Sequence, residues 1–176
     1  MNPPDAAWEA RSLELWNRID ALDAAEFVSQ IESLAAELPA GSPVGLFERG
    51  CAHDSTGHPE RAVPLYRAAL DSGLTGLRRR RAVIQMASSL RNLGDAEQAA
   101  ALLMAECHEP SDELDGAVRA FLALALVDLG REREAVSVSL TALSRYLPRY
   151  NRSLARYAQA ISDESGEGSA EPSDPI

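Results

Sequence analysis

The stretch ASSLRNLGDAEQA, residues 87–99, decides how the chain folds. Apolar residues recur at helical spacing up to Leu93, and Gly94 stands where a helix would end in a left-handed turn. Asp95 can cap a following helix, with Gln98 three residues further on. The stretch therefore predicts a helix–turn–helix unit.

The same turn recurs along the chain. Gly57, Gly94 and Gly130 lie 37 and 36 residues apart. Each glycine has a small residue seven positions before it and an alanine five positions after it: Gly50, Ala87, Ala123, Ala62, Ala99 and Ala135. A two-helix unit repeated at a fixed period is typical of a solenoid, in which each hairpin buries its apolar side against its neighbours. No segment alternates with period two for long enough to predict a strand, so the predicted fold class is all-α.

A helical hairpin is predicted ahead of the repeats, within residues 1–41. Asp23 is the expected N-cap of its second helix. Trp8 lies on the apolar face of the first helix, which Leu13 and Trp16 are expected to widen. Ser42 and Pro43 then suit the start of the first repeat.

A final helix is predicted at 148–163, where it would cap the repeats of 42–147. Its apolar face is expected to carry four residues at helical spacing: Tyr150, Leu154, Tyr157 and Ile161. Residues 164–176 are small, polar and acidic, and we expect this tail to be disordered.

Composition narrows the classes of function. No run approaches the roughly 20 apolar residues of a membrane span, and no leader pattern is visible, so a cytoplasmic location is expected. All 17 basic residues are arginine, which excludes Schiff-base and P-loop lysine chemistry. The net charge of −10 makes nucleic acid an unfavourable partner.

The recurring positions resemble the tetratricopeptide repeat family, in particular a small bacterial three-repeat branch. Phrases that carry the likeness are AVPLYRAAL, ASSLRNLGDAEQA and RAFLALALVDLG. The resemblance implies a right-handed α-solenoid with repeats at about 42–74, 75–110 and 111–147. It also implies that the first helix of each repeat lines a concave groove for an extended peptide or partner helix.

Helical spacing then indicates which residues face that groove. Arg81, Gln85, Ser88 and Asn92 lie at i, i+4, i+7 and i+11, with Arg91 beside them. The flanking repeats are expected to add six residues: Phe47, Cys51, Asp54, Phe121, Leu124 and Asp128. Such hydrogen-bonding side chains could bind a carboxylate or a peptide backbone, so the predicted partner is a protein or peptide, with acidic peptides and C-terminal carboxylates as candidates. An ordinary solvated helix face is the alternative.

The run of four arginines at 78–81 has three interpretations. Successive helical residues point about 100° apart, so the four cannot share one ligand. Ion pairs with Glu48, Asp112 or Glu113 are favoured over an acidic or phosphorylated partner, and both are favoured over nucleic acid.

Metal and catalytic motifs are not indicated. Cys51 and His53 diverge at i, i+2 and His58 lies in a turn, so the three do not suggest a metal site. The leading hypothesis is a non-catalytic interaction scaffold without cofactors. A homodimer formed through the solenoid ends or through Trp8 and Trp16 is the second, and a hydrolase or small-molecule binder using His53 is a distant third.

Overall fold

The structure is a computed structural model, and it describes residues 4–167. Every regular element in this range is a helix, which confirms the all-α prediction. A single 3-10 turn, Ile19–Ala21, lies between the first two α-helices. The α-helices are α1 (Ala6–Trp16), α2 (Ala24–Ala35), α3 (Pro43–Ser55), α4 (Pro59–Asp71), α5 (Gly76–Asn92), α6 (Ala96–Glu106), α7 (Asp115–Asp128), α8 (Glu132–Ser144) and α9 (Asn151–Glu167).

The chain divides into two compact units, Met1–Asp95 and Ala96–Ile176. In the first unit each helix packs on the next in sequence, from α1 to α5, and α3 also contacts α5. Phe27 and Ile31 of α2 form a core with Ala52 of α3. Consecutive hairpins that also touch through their first helices are the packing expected of helical repeats.

The second unit continues the same scheme, with α6 on α7, α7 on α8 and α8 on α9. Its buried aliphatic residues include Leu103, Val118 and Leu126. The hydroxyl of Ser137 on α8 donates a buried hydrogen bond of 2.7 Å to the carbonyl of Ala158 on α9. These two small residues let the last helix approach α8 closely.

The predicted helix ends are confirmed. Gly57, Gly94 and Gly130 have φ angles of +82°, +87° and +69°, in the left-handed region that glycine adopts without strain. After each glycine, the next backbone N–H bonds at 2.9 Å to a carbonyl five residues earlier, the closing bond of a Schellman motif. The turn spacing found in the sequence is therefore the spacing of the actual helix ends.

Several predicted helix starts and predicted small residues are also found in the structure. The Asp23 carboxylate accepts hydrogen bonds from the backbone N–H groups of Ala25 and Glu26, and the Ser42 hydroxyl accepts one from Gly45. The three predicted alanines are buried: Ala62, Ala99 and Ala135.

The rotation of α1 differs from the prediction. Trp8 is buried as expected, but Leu13 is 63% exposed and does not widen the packed face. Trp8 and Ser12, four residues apart, both turn inward, and Leu13 follows Ser12 by about 100° on the helix. Leu13 therefore lies outside the packed face of α1.

The rotation of α9 was also predicted wrongly. Tyr150 and Tyr157 are 78% and 60% exposed, and the inward side is centred on the fully buried Ala158, with Leu154 and Ile161 half-buried. A small residue at the contact brings α9 close to α8, and this leaves no room there for tyrosine rings.

The bounds of α9 differ as well. The helix begins at Asn151 rather than Pro148 and runs to Glu167, so it enters the tail predicted to be disordered. The remainder of that tail, 168–176, lies outside the described residues. Across 4–167, no helix combines the length and the apolar character that spanning a membrane requires.

Candidate functional site

Helix α5 presents a row of polar side chains along one accessible side. Arg81 and Asn92 are exposed, and Gln85 and Ser88 between them are half-buried. Arg91 is half-buried beside the row and has interactions of its own. We call Arg81, Gln85, Ser88 and Asn92 the α5 row.

Arg81 is held by an aromatic ring. Its guanidinium carbon lies 5.2 Å from the centroid of the Phe47 ring, a cation–π distance. Phe47 itself is 0% exposed, so the prediction that Phe47 contacts a partner is wrong. The ring is buried in the unit and supports the arginine that lies over it.

The other arginines of the run are engaged within the protein. Arg78 donates to both carboxylate oxygens of Glu9 and, at 3.3 Å, to Glu48. These contacts raise the pKa of Arg78, the hydrogen bonds to Glu9 contributing most. Arg79 and Arg80 have interactions of their own. The predicted ion pair with Glu48 is confirmed, and the ion pair with Glu9 is one that the sequence did not predict.

Within residues 4–163, by contrast, Arg81 makes no ion pair. It is exposed, oriented by Phe47 and without an acidic partner in that range. A cation in this setting can accept an anionic group from another molecule without first breaking a contact.

Gln85 is oriented by a buried thiol. The Cys51 thiol donates to the Gln85 side-chain oxygen, with 3.2 Å between sulfur and oxygen. Burial, with a smaller contribution from the charge of Glu48, raises the pKa of Cys51 to about 12, so the sulfur keeps its proton and remains a donor. The Gln85 amide oxygen is therefore occupied, and its amide nitrogen is left to donate to another group.

Asp54 holds three helices together. Its carboxylate accepts hydrogen bonds from Ser89 of α5 at 2.8 Å and from Tyr66 of α4 at 3.3 Å. Burial raises the pKa of Asp54, and the two hydrogen bonds oppose that rise. Asp54, predicted to line the groove, thus bonds within the first unit.

A cleft of about 560 Å³ lies next to Arg81, between α1, α3 and α5. Its lining residues are Glu9, Ala10, Ser12, Leu13, Trp16, Glu48, Arg78 and Arg81. Two of these lining residues are hydrogen-bonded to each other, because the indole N–H of Trp16 donates to Glu48 at 2.7 Å. Sequence reasoning missed the contribution of α1, because the ion pair between Glu9 and Arg78 joins residues 69 positions apart.

The remaining predicted groove residues belong to the second unit. On α7, Phe121 is half-buried and Asp128 is exposed, though Asp128 has an interaction of its own. Leu124 and Val127 of the same helix are 44% and 50% exposed. A role of these residues in binding stays a prediction.

The histidines lie apart from the cleft. His53 Nε2 is 3.5 Å from a Glu32 oxygen on α2, and the His53 side chain is 11% exposed. Its ring stacks edge-on against His58 at 6.4 Å between centroids. In the described part of the chain, no three histidine, cysteine or acidic residues cluster as metal ligands would.

Consecutive hairpins, glycine-ended first helices and buried small residues at fixed positions define a helical repeat protein. The family model for the tetratricopeptide repeat matches residues 43–161. The chain therefore belongs to the tetratricopeptide repeat family, which indicates a protein–protein interaction module and is generally non-catalytic. Comparisons with curated proteins and with solved structures give no match.

Proposed function

We propose that the protein is an interaction scaffold that binds a peptide or helix of a partner protein along the α5 row, with a carboxylate of the partner on Arg81. The observation that carries this proposal is the state of Arg81: exposed, stacked on Phe47 and without an ion pair in residues 4–163.

Arg81 and Gln85 are suited to act together. They lie four residues apart, on the same side of α5, so a guanidinium and an amide N–H can reach neighbouring oxygens of one ligand. Hydrogen bonds to a charged group contribute roughly 1.5–3 kcal/mol each. Because Phe47 and Cys51 already orient both side chains, binding loses less side-chain entropy than it would on an unsupported surface.

The chemistry of the row favours an acidic partner or one that presents a C-terminal carboxylate. Guanidinium groups bind carboxylates in a bidentate manner, and Ser88 and Asn92 can bond to the peptide backbone that follows. Nucleic acid is less well supported, because the chain carries a net charge of −10.

The homodimer hypothesis that uses Trp8 and Trp16 has less support. Trp8 is 3% exposed, and its indole N–H donates to the Leu34 carbonyl at 2.9 Å. Trp16 is bonded to Glu48. Both indoles serve packing within the protomer, so they are poor anchors for a second copy.

The test uses a library of octapeptides with free C-terminal carboxylates, screened against the full chain, and the same sequences with amidated termini. Peptides enriched by the wild type should bind the Arg81→Ala variant about 10–100-fold more weakly, which corresponds to one lost charge-assisted contact. The double variant Arg81→Ala/Asn92→Ala should bind still more weakly.

A matched control is the variant Asn17→Ala/Arg61→Ala, which removes the same two residue types at exposed positions outside α5. It should bind as the wild type does. Failure to enrich any peptide, or equal binding by the wild type and the Arg81→Ala variant, would remove the α5 row as the binding site.

A further inference from the structure

The first helix, α1, lies outside the residues that match the repeat family, yet it forms one wall of the cleft beside Arg81. Because α1 reaches the α5 row from outside the repeats, it is positioned to influence what the row binds.

The wall is fixed by contacts to three helices. The Trp8 indole donates to the Leu34 carbonyl of α2, and the Trp16 indole donates to Glu48 of α3. Glu9 forms a bidentate pair with Arg78 of α5. Polar anchors at both ends of α1 therefore set its rotation relative to α5.

Apolar side chains of α1 line the cleft beside Glu9 and Ser12. Leu13 is 63% exposed and lines the cleft with the exposed Ala10 and the half-buried Trp16. Since Trp8 and Ser12 take the buried side, the packing of α1 does not require a leucine at position 13. A leucine there gives the cleft an apolar surface that another molecule can cover.

The cleft lining holds two acids and two cations, so its formal charges sum to zero, but the ion pairs are unevenly distributed. Glu9 and Glu48 are both paired with Arg78, and Arg81 is the lining cation that makes no ion pair among residues 4–163. The cleft thus places the apolar side chains of α1 in the same lining as one arginine that makes no ion pair within residues 4–163.

We propose that this cleft is a specificity pocket for a peptide in which a large apolar side chain lies within two residues of a carboxylate. The carboxylate binds Arg81, and the apolar side chain covers Leu13 and Ala10. This inference rests on the proposed function and names the partner's chemistry. Helix α1 then discriminates among acidic peptides that Arg81 alone would bind with equal affinity.

The experiment compares two octapeptide libraries on the full chain. Both libraries carry an aspartate at one fixed position and a free C-terminal carboxylate. They differ two positions before the aspartate, where the apolar library has leucine, methionine or phenylalanine and the alanine library has alanine. The wild type should bind the apolar library at least tenfold more strongly. The Leu13→Ser variant should lose this preference and bind both libraries as weakly as the wild type binds the alanine library.

The control is Leu143→Ser, which removes a leucine that is 49% exposed on α8, and it should keep the preference. Thermal unfolding of each variant checks that the fold is retained. A Leu13→Ser variant that keeps the tenfold preference, or that weakens binding of both libraries equally, would overturn the pocket. Arg81→Ala should weaken binding of both libraries, and its failure to do so would instead overturn the proposed function.

Discussion

Gly50 of α3 lies against the ring of Tyr66 of α4, so closely that a Cβ on Gly50 would stand 2.8 Å from a Tyr66 ring carbon. Both residues are buried, and Tyr66 is 0% exposed. A small residue recurs seven positions before each turn glycine, and at Gly50 the neighbouring Tyr66 ring explains why it must be small.

The substitution Gly50→Ala should destabilise the protein. Overpacking a buried contact costs about 1–3 kcal/mol, which exceeds the roughly 0.5–1 kcal/mol that alanine gains over glycine in a helix. Urea unfolding measures the difference. In the double variant Gly50→Ala/Tyr66→Leu, the alanine should cost less than it does beside tyrosine, and an unchanged cost would contradict the contact.

Arg78 and Arg81 should differ in their effect on stability. Arg78→Ala leaves the buried Glu48, whose side chain is 7% exposed, without its cation, and we expect a loss of about 2 kcal/mol because Arg78 and Glu9 are partly solvated. Arg81→Ala should cost less than about 1 kcal/mol, since it removes a surface cation–π contact. Equal losses in chemical unfolding would argue against the ion-pair cluster.

The buried carboxylate of Asp54 predicts a pH dependence. Because burial raises its folded-state pKa, Asp54 binds its proton more tightly in the folded protein, and its contribution to stability falls as the pH rises through the ordinary aspartate pKa towards the raised one. Asp54→Asn cannot ionise. The stability of this variant relative to wild type should therefore increase with pH across that window, as measured by urea unfolding at a series of pH values.

A stability difference between Asp54→Asn and wild type that does not change with pH would show that folding does not raise the pKa of Asp54. Asp71→Asn is a suitable control, because Asp71 is exposed at the end of α4.

The Cys51 thiol should resist modification in the folded protein. It is 0% exposed and its pKa is raised to about 12, so little thiolate forms at pH 8. In a Cys107→Ser variant, a chromogenic disulfide reagent should release no product from the native chain and one equivalent after denaturation in guanidinium. Rapid reaction of the native variant would show that Cys51 is reachable.

The fold could be predicted because its signals are local and repeated. Left-handed turns favour glycine, and close helix pairs require small residues, so Gly57, Gly94 and Gly130 mark the helix ends in the sequence itself. Each signal alone is weak, but their recurrence at 36–37 residues fixes the two-helix unit.

The rotation of the flanking helices could not be predicted in the same way. Both α1 and α9 have apolar residues on more than one side, so spacing alone allowed Leu13 or Tyr157 to face inward. Packing was decided instead by Ser12 and by Ala158, whose small size permits close approach. Helices that occur once lack the repetition that resolves this ambiguity.

The accessibility of the candidate site was predicted in part, and its role in binding stays a prediction. The α5 row is accessible, as its spacing indicated, whereas Phe47 and Asp54 turned out to support other residues. Whether a side chain next to a groove is a ligand contact or a support depends on neighbours from another helix. For Phe47 that neighbour is Arg81, 34 positions away along the chain.

The anchoring of α1 separates two tasks that a repeat array ordinarily combines. Its indoles and Glu9 hold the helix in place, while Ala10 and Leu13 line the cleft and leave the repeat cores untouched. The residues at those two positions can therefore change during evolution without loss of folding. Under the proposed function, related chains would acquire new binding partners through substitutions in α1 alone.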